Sequence, residues 1–376
     1  MKKLVCVLLC FAFSCGAFAA CGESENEAGN GTENTTTHPQ GTLTIIEGRG
    51  EVYPYQDRIK EWLLQPYGTD VADYYFETEN QAQGIVLSWE YNASDATGFI
   101  LCYGESGCSE EEKTEVVLGE RIREYELFNL YKDTKYDWSV TVTTENGGSI
   151  TKEESFKTTA IGPRTLQFED IYNTRDVGGY VTESGKKTRQ GLMLRGSEIP
   201  GYLREATKKE LEPFGIKTDL DIRGYGEESG YKKESPIPGA ELKYVMITGY
   251  MGAFSLTENY KEVFSMMANE ENYPMYVHCT AGADRTGTVI FLVNALLGVP
   301  EELLIQDFEF TSFSKWGIRS HLEEGEEGYG AAFRQFLAKL KTYEGETLAE
   351  KTENYMLTIG VTQTEIESIR AIMLET

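Results

Sequence analysis

Cys279 and Arg285, six positions apart, are the pair in this 376-residue chain best suited to chemistry. They sit in the stretch Val277-His278-Cys279-Thr280-Ala281-Gly282-Ala283-Asp284-Arg285-Thr286-Gly287. An apolar strand-like run, Tyr273 to His278, leads into it, and an apolar helical run, Thr286 to Leu297, follows. A loop between a strand and a helix turns its backbone N–H groups toward one point at the positive end of the helix, where a phosphoryl group can be held and an anionic sulfur is favoured. In that setting Cys279 is a candidate nucleophile. Thr280, Ala281, Gly282 and Ala283 form the candidate phosphate-binding loop, with Gly282 serving a close approach or an unusual dihedral. The planar guanidinium of Arg285 suits two hydrogen bonds to the oxygens of a phosphoryl group in transfer. The Thr286 hydroxyl is placed to hydrogen-bond the sulfur when it leaves in a second step, and His278 is expected to orient the loop rather than move protons. The Cys-x5-Arg spacing alone is a weak pattern; its place between strand and helix gives it weight.

The elements that must position this loop follow from periodicity. Between residues 161 and 376, Gly215 to Ile222, Leu242 to Ile247 and Tyr273 to His278 read as strands, while Ala331 to Leu340, Leu348 to Ile359 and Gln363 to Leu374 read as helices. Such alternation predicts an α/β domain with a mostly parallel central sheet flanked by helices, and ligands bind beyond the carboxyl ends of such strands. Residues 71 to 160 carry short alternating runs instead, Ile85 to Glu90, Gly98 to Tyr103 and Tyr136 to Val142, separated by Gly, Asn and Asp turns. They predict a small all-β sandwich. Residues 43 to 70 hold an apolar opening, Leu43 to Ile46, and a short helix around Asp57 to Leu64, with no chemical motif and no assignable role.

These residues resemble the cysteine-based protein tyrosine phosphatases, and within them the bacterial secreted branch whose loop reads His-Cys-x-x-Gly-Lys-Asp-Arg-Thr-Gly. Asn173-Thr174-Arg175-Asp176-Val177-Gly178-Gly179-Tyr180 is similar to that branch's Asn-Phe-Arg-Asp-Leu-Gly-Gly signature. Asp221-Ile222-Arg223 with Glu227 looks like its Asp-Leu-Arg segment, and Gly191 to Ser197 like its Arg-Ser strand end. The resemblance runs from Phe168 to Leu374. It implies a two-step reaction that requires neither metal nor cofactor: Cys279 takes the phosphoryl group, an acid protonates the leaving oxygen, and water hydrolyses the cysteinyl-phosphate. The implied partner is a phosphorylated protein or a small phosphoester, with Arg175, Asp176 and Arg223 as supporting residues. Asp284 is the first candidate for the acid and Asp221 the second, and for Asp221 the equal alternative is a carboxylate that braces Arg223 or Arg175. Ala283 stands where the branch has Lys, which lowers the local positive field and weighs against multiply charged substrates. Thr174 in place of Phe is a milder departure. In the first half, Leu87 to Glu90, Tyr125 to Leu130 and Thr134-Lys135-Tyr136 resemble the fibronectin type III pattern, with Trp89 and Tyr136 as core aromatics. No partner for the sandwich can be read from it.

The formal charge is −26, and no Lys/Arg cluster interrupts the acidic background, which excludes a nucleic-acid footprint. A phosphate site here must make its own positive field. Met1-Lys2-Lys3 and the apolar run Leu4 to Ala20 read as a secretory signal over residues 1–20. Phe18-Ala19-Ala20-Cys21 resembles a bacterial lipobox, which would lipidate Cys21 and anchor the protein to the outer face of the cytoplasmic membrane. Ala17-Phe18-Ala19 offers the alternative of an ordinary cleavage site and a secreted soluble protein. Residues 21–42 are rich in Glu, Asn, Gly and Thr and suit a flexible tether. Cys102 and Cys108 can pair across the turn Tyr103 to Gly107, the alternative being two free thiols, which leaves Cys279 unpaired. The resulting reading is an exported phosphomonoester hydrolase, a protein tyrosine phosphatase of broad specificity. A phosphatase of inositol phosphates or phospholipid head groups, or an adhesion lipoprotein with a secondary phosphatase site, are the competing readings.

Overall fold

The computed structural model describes residues 39–78, 80–224 and 233–376; the signal segment, Cys21, most of the tether and Glu227 lie outside the described residues. Period-two alternation builds the first half. Strands β1 (Leu43–Glu47), β3 (Ile85–Tyr91) and β6 (Glu124–Leu127) form an antiparallel sheet in the order β1-β3-β6. Facing it is the sheet β2 (Gly50–Val52), β8 (Ser149–Thr158), β7 (Lys135–Thr144), β4 (Ala96–Glu105) and β5 (Thr114–Gly119), antiparallel apart from the β2–β8 pair. Along β7 every second residue is buried, and Tyr136, Trp138, Val140 and Val142 meet Leu87, Trp89, Phe99 and Leu101 in one core. The Tyr136 hydroxyl accepts the backbone N–H of Tyr131 at 2.9 Å, pinning the turn before β7.

Two boundaries differ from the sequence reading. The run 43–52 supplies β1 and β2, so it belongs to the sandwich, which begins well before residue 71; Leu43 pairs with Tyr91. The backbone N–H groups of Gln40, Gly41 and Thr42 donate to Asp95 Oδ2 (3.1 Å), the Tyr91 hydroxyl (3.0 Å) and Asn92 Oδ1 (2.6 Å), so a free tether cannot extend to residue 42. The rest of the segment without a role has one in packing. Tyr55, with Ile59, Trp62 and Leu63 of α1 (Asp57–Leu63), and Val71 form an apolar cluster with Phe310 and Phe313 of the second half. Each buried side chain of that size is worth roughly 1.5–3 kcal/mol, enough to make the segment a strap across the two halves. Cys102 and Cys108 are free thiols, so the disulfide is not formed. The Cys102 thiol is 3.8 Å from Glu115 Oε2, while the Cys108 sulfur lies against Gly104, so each sulfur has another neighbour.

The second half is an α/β domain. Its sheet runs β12 (Glu241–Tyr244), β11 (Thr218–Asp221), β13 (Met275–His278), β10 (Met193–Gly196) and β9 (Arg175–Asp176), parallel except at the short edge strand β9. Alternation sends Met275 and Val277 of β13 to one face and Tyr276 to the other. On the first face lie α3 (Thr257–Met267), α4 (Asp284–Leu296), α5 (Glu301–Phe310), α6 (Tyr329–Leu340), α7 (Leu348–Thr358) and α8 (Gln363–Met373). On the second, α2 (Glu205–Leu211) packs its Leu211 with Leu166, Phe168 and Leu194. Helix α4 is buried nearly all round, as its unbroken apolar run requires. It starts at Asp284, two residues ahead of the sequence reading, which puts Asp284 and Arg285 in its first turn. No helix among the described residues is long and apolar enough to cross a membrane.

Candidate active site

Parallel register brings three strand ends side by side: Gly196 and Asp221 each pair with His278. Cys279 follows directly, and the backbone then turns through residues 280–283 into α4. Three successive carbonyls of that loop are tied from outside. Thr280 O accepts the Glu198 N–H (3.0 Å), Ala281 O accepts Asn173 Nδ2 (3.0 Å) and Gly282 O accepts Arg195 Nη2 (2.7 Å). In a trans peptide the N–H points opposite to its C=O, so the N–H groups of Ala281, Gly282 and Ala283 face the loop's interior. Among the described residues, none of the amides of Thr280 to Ala283 donates to a protein acceptor. With the first turn of α4 behind them they form a cradle for an oxyanion. Gly282 is required there: its φ is +65°, and a Cβ would sit 2.2 Å from the Gly196 carbonyl oxygen.

The side chains singled out by sequence are brought together at this loop. Cys279 is buried at its floor, and Arg285 Nη2 donates to the Thr280 hydroxyl at 3.1 Å, bridging the two ends of the loop. The Thr286 hydroxyl is buried without a hydrogen-bond partner, so the expected bond to the sulfur is not made in this arrangement. His278 is fully buried, with Nε2 2.9 Å from Asp219 Oδ1 and Nδ1 3.3 Å from the Cys279 carbonyl, a geometry that fixes the loop's entry. Asp219 is itself held by the Ser235 hydroxyl at 2.7 Å.

Under the loop lies a buried charge cluster. Arg175 Nε donates to Asp307 Oδ1 at 2.6 Å, and Arg195 Nη1 donates to Asp307 Oδ2 while its Nη2 holds the Gly282 carbonyl. One carboxylate on α5 therefore sets two arginines, one of which shapes the phosphate loop. Burial alone would raise the Asp307 pKa, but the two guanidiniums win and hold it below the usual range. Burial and the neighbouring Arg175 pull Arg195 down to about 10, against Asp307. Arg175 thus pairs with Asp307, correcting its suggested pairing with Asp221. Asp176 accepts Arg164 Nη1 (2.8 Å) and the N–H groups of Gly178 (2.8 Å) and Gly191 (2.6 Å), bracing the turn below β10.

The two candidate acids part company. The Asp221 side chain is 0 % exposed and gripped by Arg223 through Nε (2.9 Å) and Nη2 (2.7 Å). Burial pushes its pKa up, but the Arg223 hydrogen bonds prevail and leave it lowered. A carboxylate so enclosed, with Arg223 as its partner, suits the bracing role for Asp221 over that of the acid. Arg223 also reaches Glu198, whose N–H ties the loop at Thr280. The Asp284 side chain, 27 % exposed at the start of α4, accepts the Tyr250 hydroxyl (2.6 Å) and pairs with Arg319 (3.1 Å). Its carboxyl group stands at the helix end of the loop and meets solvent.

Sequence reasoning missed Asp307, Asp219, Glu198, Tyr250 and Arg319. Asp307 left a signal, an acid between the buried Leu304, Ile305 and Phe308 of an apolar helix, where a carboxylate needs a cationic partner. Arg319 lies in an irregular segment and Tyr250 opens a short 3-10 helix, and neither carries such a signal.

A parallel sheet with a cysteine at the end of a central strand, an amide-lined loop and a helix start defines the class of α/β proteins built to hold a phosphoryl group. The chain belongs to the tyrosine phosphatase family, whose sequence profile matches residues 166–375. It is 28% identical over 172 residues to a protein of Cupriavidus necator named as a tyrosine-protein phosphatase, a match covering 39% of this chain and 63% of that relative. It is 26% identical over 214 residues to the tyrosine-protein phosphatase of Nostoc commune, covering 45% and 70%. Among solved structures it is similar to the core catalytic domain of the PP-IP phosphatase SIW14 from S. cerevisiae, at 18% identity and a TM-score of 0.27, over 40% of this chain and 80% of that one.

Proposed function

We propose that this chain is a cysteine-dependent phosphomonoester hydrolase, a protein tyrosine phosphatase of broad specificity. The observation that carries the reading is the loop above Cys279, whose carbonyls are tied outward so that its amides converge on one point. The Cys279 sulfur attacks phosphorus, and the bond from phosphorus to the leaving oxygen breaks as Asp284 gives that oxygen its proton. Asp284 then takes a proton from water as the water oxygen attacks phosphorus and the sulfur–phosphorus bond breaks. Arg285 and the loop amides hold the equatorial oxygens through both steps. Ala283, apolar and buried, leaves the positive charge of the loop to Arg285 and favours singly phosphorylated substrates over polyphosphorylated ones.

The sandwich is read as a fibronectin type III-like module, supported by the Tyr136–Tyr131 contact, a tyrosine corner of the kind seen in such sandwiches. The protein is placed outside the cytoplasmic membrane through lipid on Cys21, a reading that rests on residues 1–21 alone.

Substrate class is tested by comparing a phosphotyrosine peptide with an inositol polyphosphate. A kcat/KM at least about tenfold higher on the peptide is expected, and a preference for the inositol phosphate would overturn the specificity. The acid is tested by leaving group. Asp284→Asn should slow phenyl phosphate hydrolysis about 10²- to 10⁴-fold and a nitrophenyl ester far less, because a good leaving group needs no proton. Asp221→Asn should lower the melting temperature and leave that leaving-group dependence as it is in the parent. The reverse pattern would exchange the two roles.

A further inference from the structure

The turn between β6 and β7 of the sandwich docks onto the α/β domain around one lysine. The Lys132 N–H donates to Gln190 Oε1 (2.9 Å), and its carbonyl accepts Gln190 Nε2 (3.0 Å) and the Thr134 hydroxyl (3.0 Å). The backbone is therefore fixed from both domains, and the side chain runs inward, leaving the residue 7 % exposed. Its ammonium lies 4.6 Å from the centre of the Tyr180 ring and makes no hydrogen bond or ion pair with any described residue. A ring face offsets only part of the cost of burying that charge. Of the acids that act on it, Asp133 and Asp176 are both engaged elsewhere. Asp133 is shared by Lys157 and Lys187, and Asp176 by Arg164.

Lys132 lines a cavity of about 310 Å³ between the two domains, with Tyr180, Ile161, Val181 and Leu303 among its walls. That volume is in the range of small-ligand sites, which favour domain interfaces. We propose that this cavity is a binding site for a small organic monocarboxylate, whose carboxylate pairs with the Lys132 ammonium and whose apolar body lies against Tyr180 and the aliphatic walls. One ammonium matches one negative charge. Lys187 at the lining is already paired with Asp133, and Glu375 disfavours a second negative charge, so a monoanion is favoured over dianionic phosphate.

The site carries its own signature. Burial pulls the Lys132 pKa down to about 7, Asp133 and Asp176 opposing and Lys187 assisting, while Tyr180 covers the ammonium and Glu375 acts on Lys187. At pH 7.5 an incoming carboxylate therefore draws a proton onto the amine. Titration calorimetry of the mature chain with benzoate, in two buffers of different ionisation enthalpy, should give saturable binding with net proton uptake. Lys132→Met should weaken it at least tenfold, and Lys132→Arg, charged throughout, should bind without proton uptake. Benzamide should not bind, and inorganic phosphate should show no binding that depends on Lys132. The proposal fails if benzoate does not bind the parent, if Lys132→Met binds it equally, or if benzamide matches benzoate. Should Lys132→Met not fold, unchanged proton uptake in Lys132→Arg would overturn the proposal by itself. None of these outcomes depends on the phosphatase reading, which Cys279 variants test separately.

Discussion

Cys279→Ser is expected to lower kcat on p-nitrophenyl phosphate by about 10⁴-fold or more, the scale seen when a nucleophile is removed from a site that binds covalently. The serine keeps the shape of the loop, and its hydroxyl stays un-ionised at neutral pH, so attack on phosphorus is lost while the amide cradle remains. Binding should survive: a phosphotyrosine peptide should still protect the variant against thermal unfolding. Steady-state kinetics and a melting curve with ligand measure the two halves of this expectation. A variant that keeps a tenth of the parent's kcat would remove Cys279 from the mechanism.

Asp307→Ala carries the second large effect, and it is one of stability. The substitution strands the guanidiniums of Arg175 and Arg195 in a buried site, a loss of about 3–5 kcal/mol when one partner of a buried ion pair is removed. Arg195 also fixes the Gly282 carbonyl, so the loop should lose its set and activity should fall with the melting temperature. The pH dependence has a definite sign. Because the folded Asp307 titrates below its unfolded value, its contribution is complete above the unfolded carboxyl pKa of about 4 and is lost as pH falls through the folded value. The melting-temperature gap between parent and Asp307→Ala should therefore be widest near neutrality and narrow in acid. A gap that grows on acidification would contradict the ion-pair account.

The α/β half and its loop were legible because their signals are local. An apolar strand, a Gly in a turn and an apolar helix stand next to one another in the chain, so Cys279, Gly282, Asp284 and Arg285 could be placed together from order alone. Long-range pairing hid the rest. β1 finds β3 some forty residues later, across the strap, so its short apolar run looked like an isolated segment. Asp307 meets Arg175 across 132 residues and Arg195 across 112, and only folding could reveal that both arginines share one acid. Asp221 shows the limit of a motif. Its neighbour Arg223 was visible, yet whether the carboxyl is open to a leaving group or sealed depends on burial, which spacing cannot supply. Proximity in sequence allows Cys102 and Cys108 either to pair or to stay free, and the strand and its turn give each sulfur a different neighbour.

The most direct test of the central claim is to catch the covalent intermediate. The protein is mixed with a ³²P-labelled phosphotyrosine peptide, quenched in acid within milliseconds, digested and mapped by mass spectrometry. Phosphate should appear on the peptide containing Cys279, be absent from Cys279→Ser and accumulate in Asp284→Asn with an activated ester, where the second step lacks its base. Label on any other residue, or steady turnover with no labelled Cys279 at any quench time, would contradict the central claim.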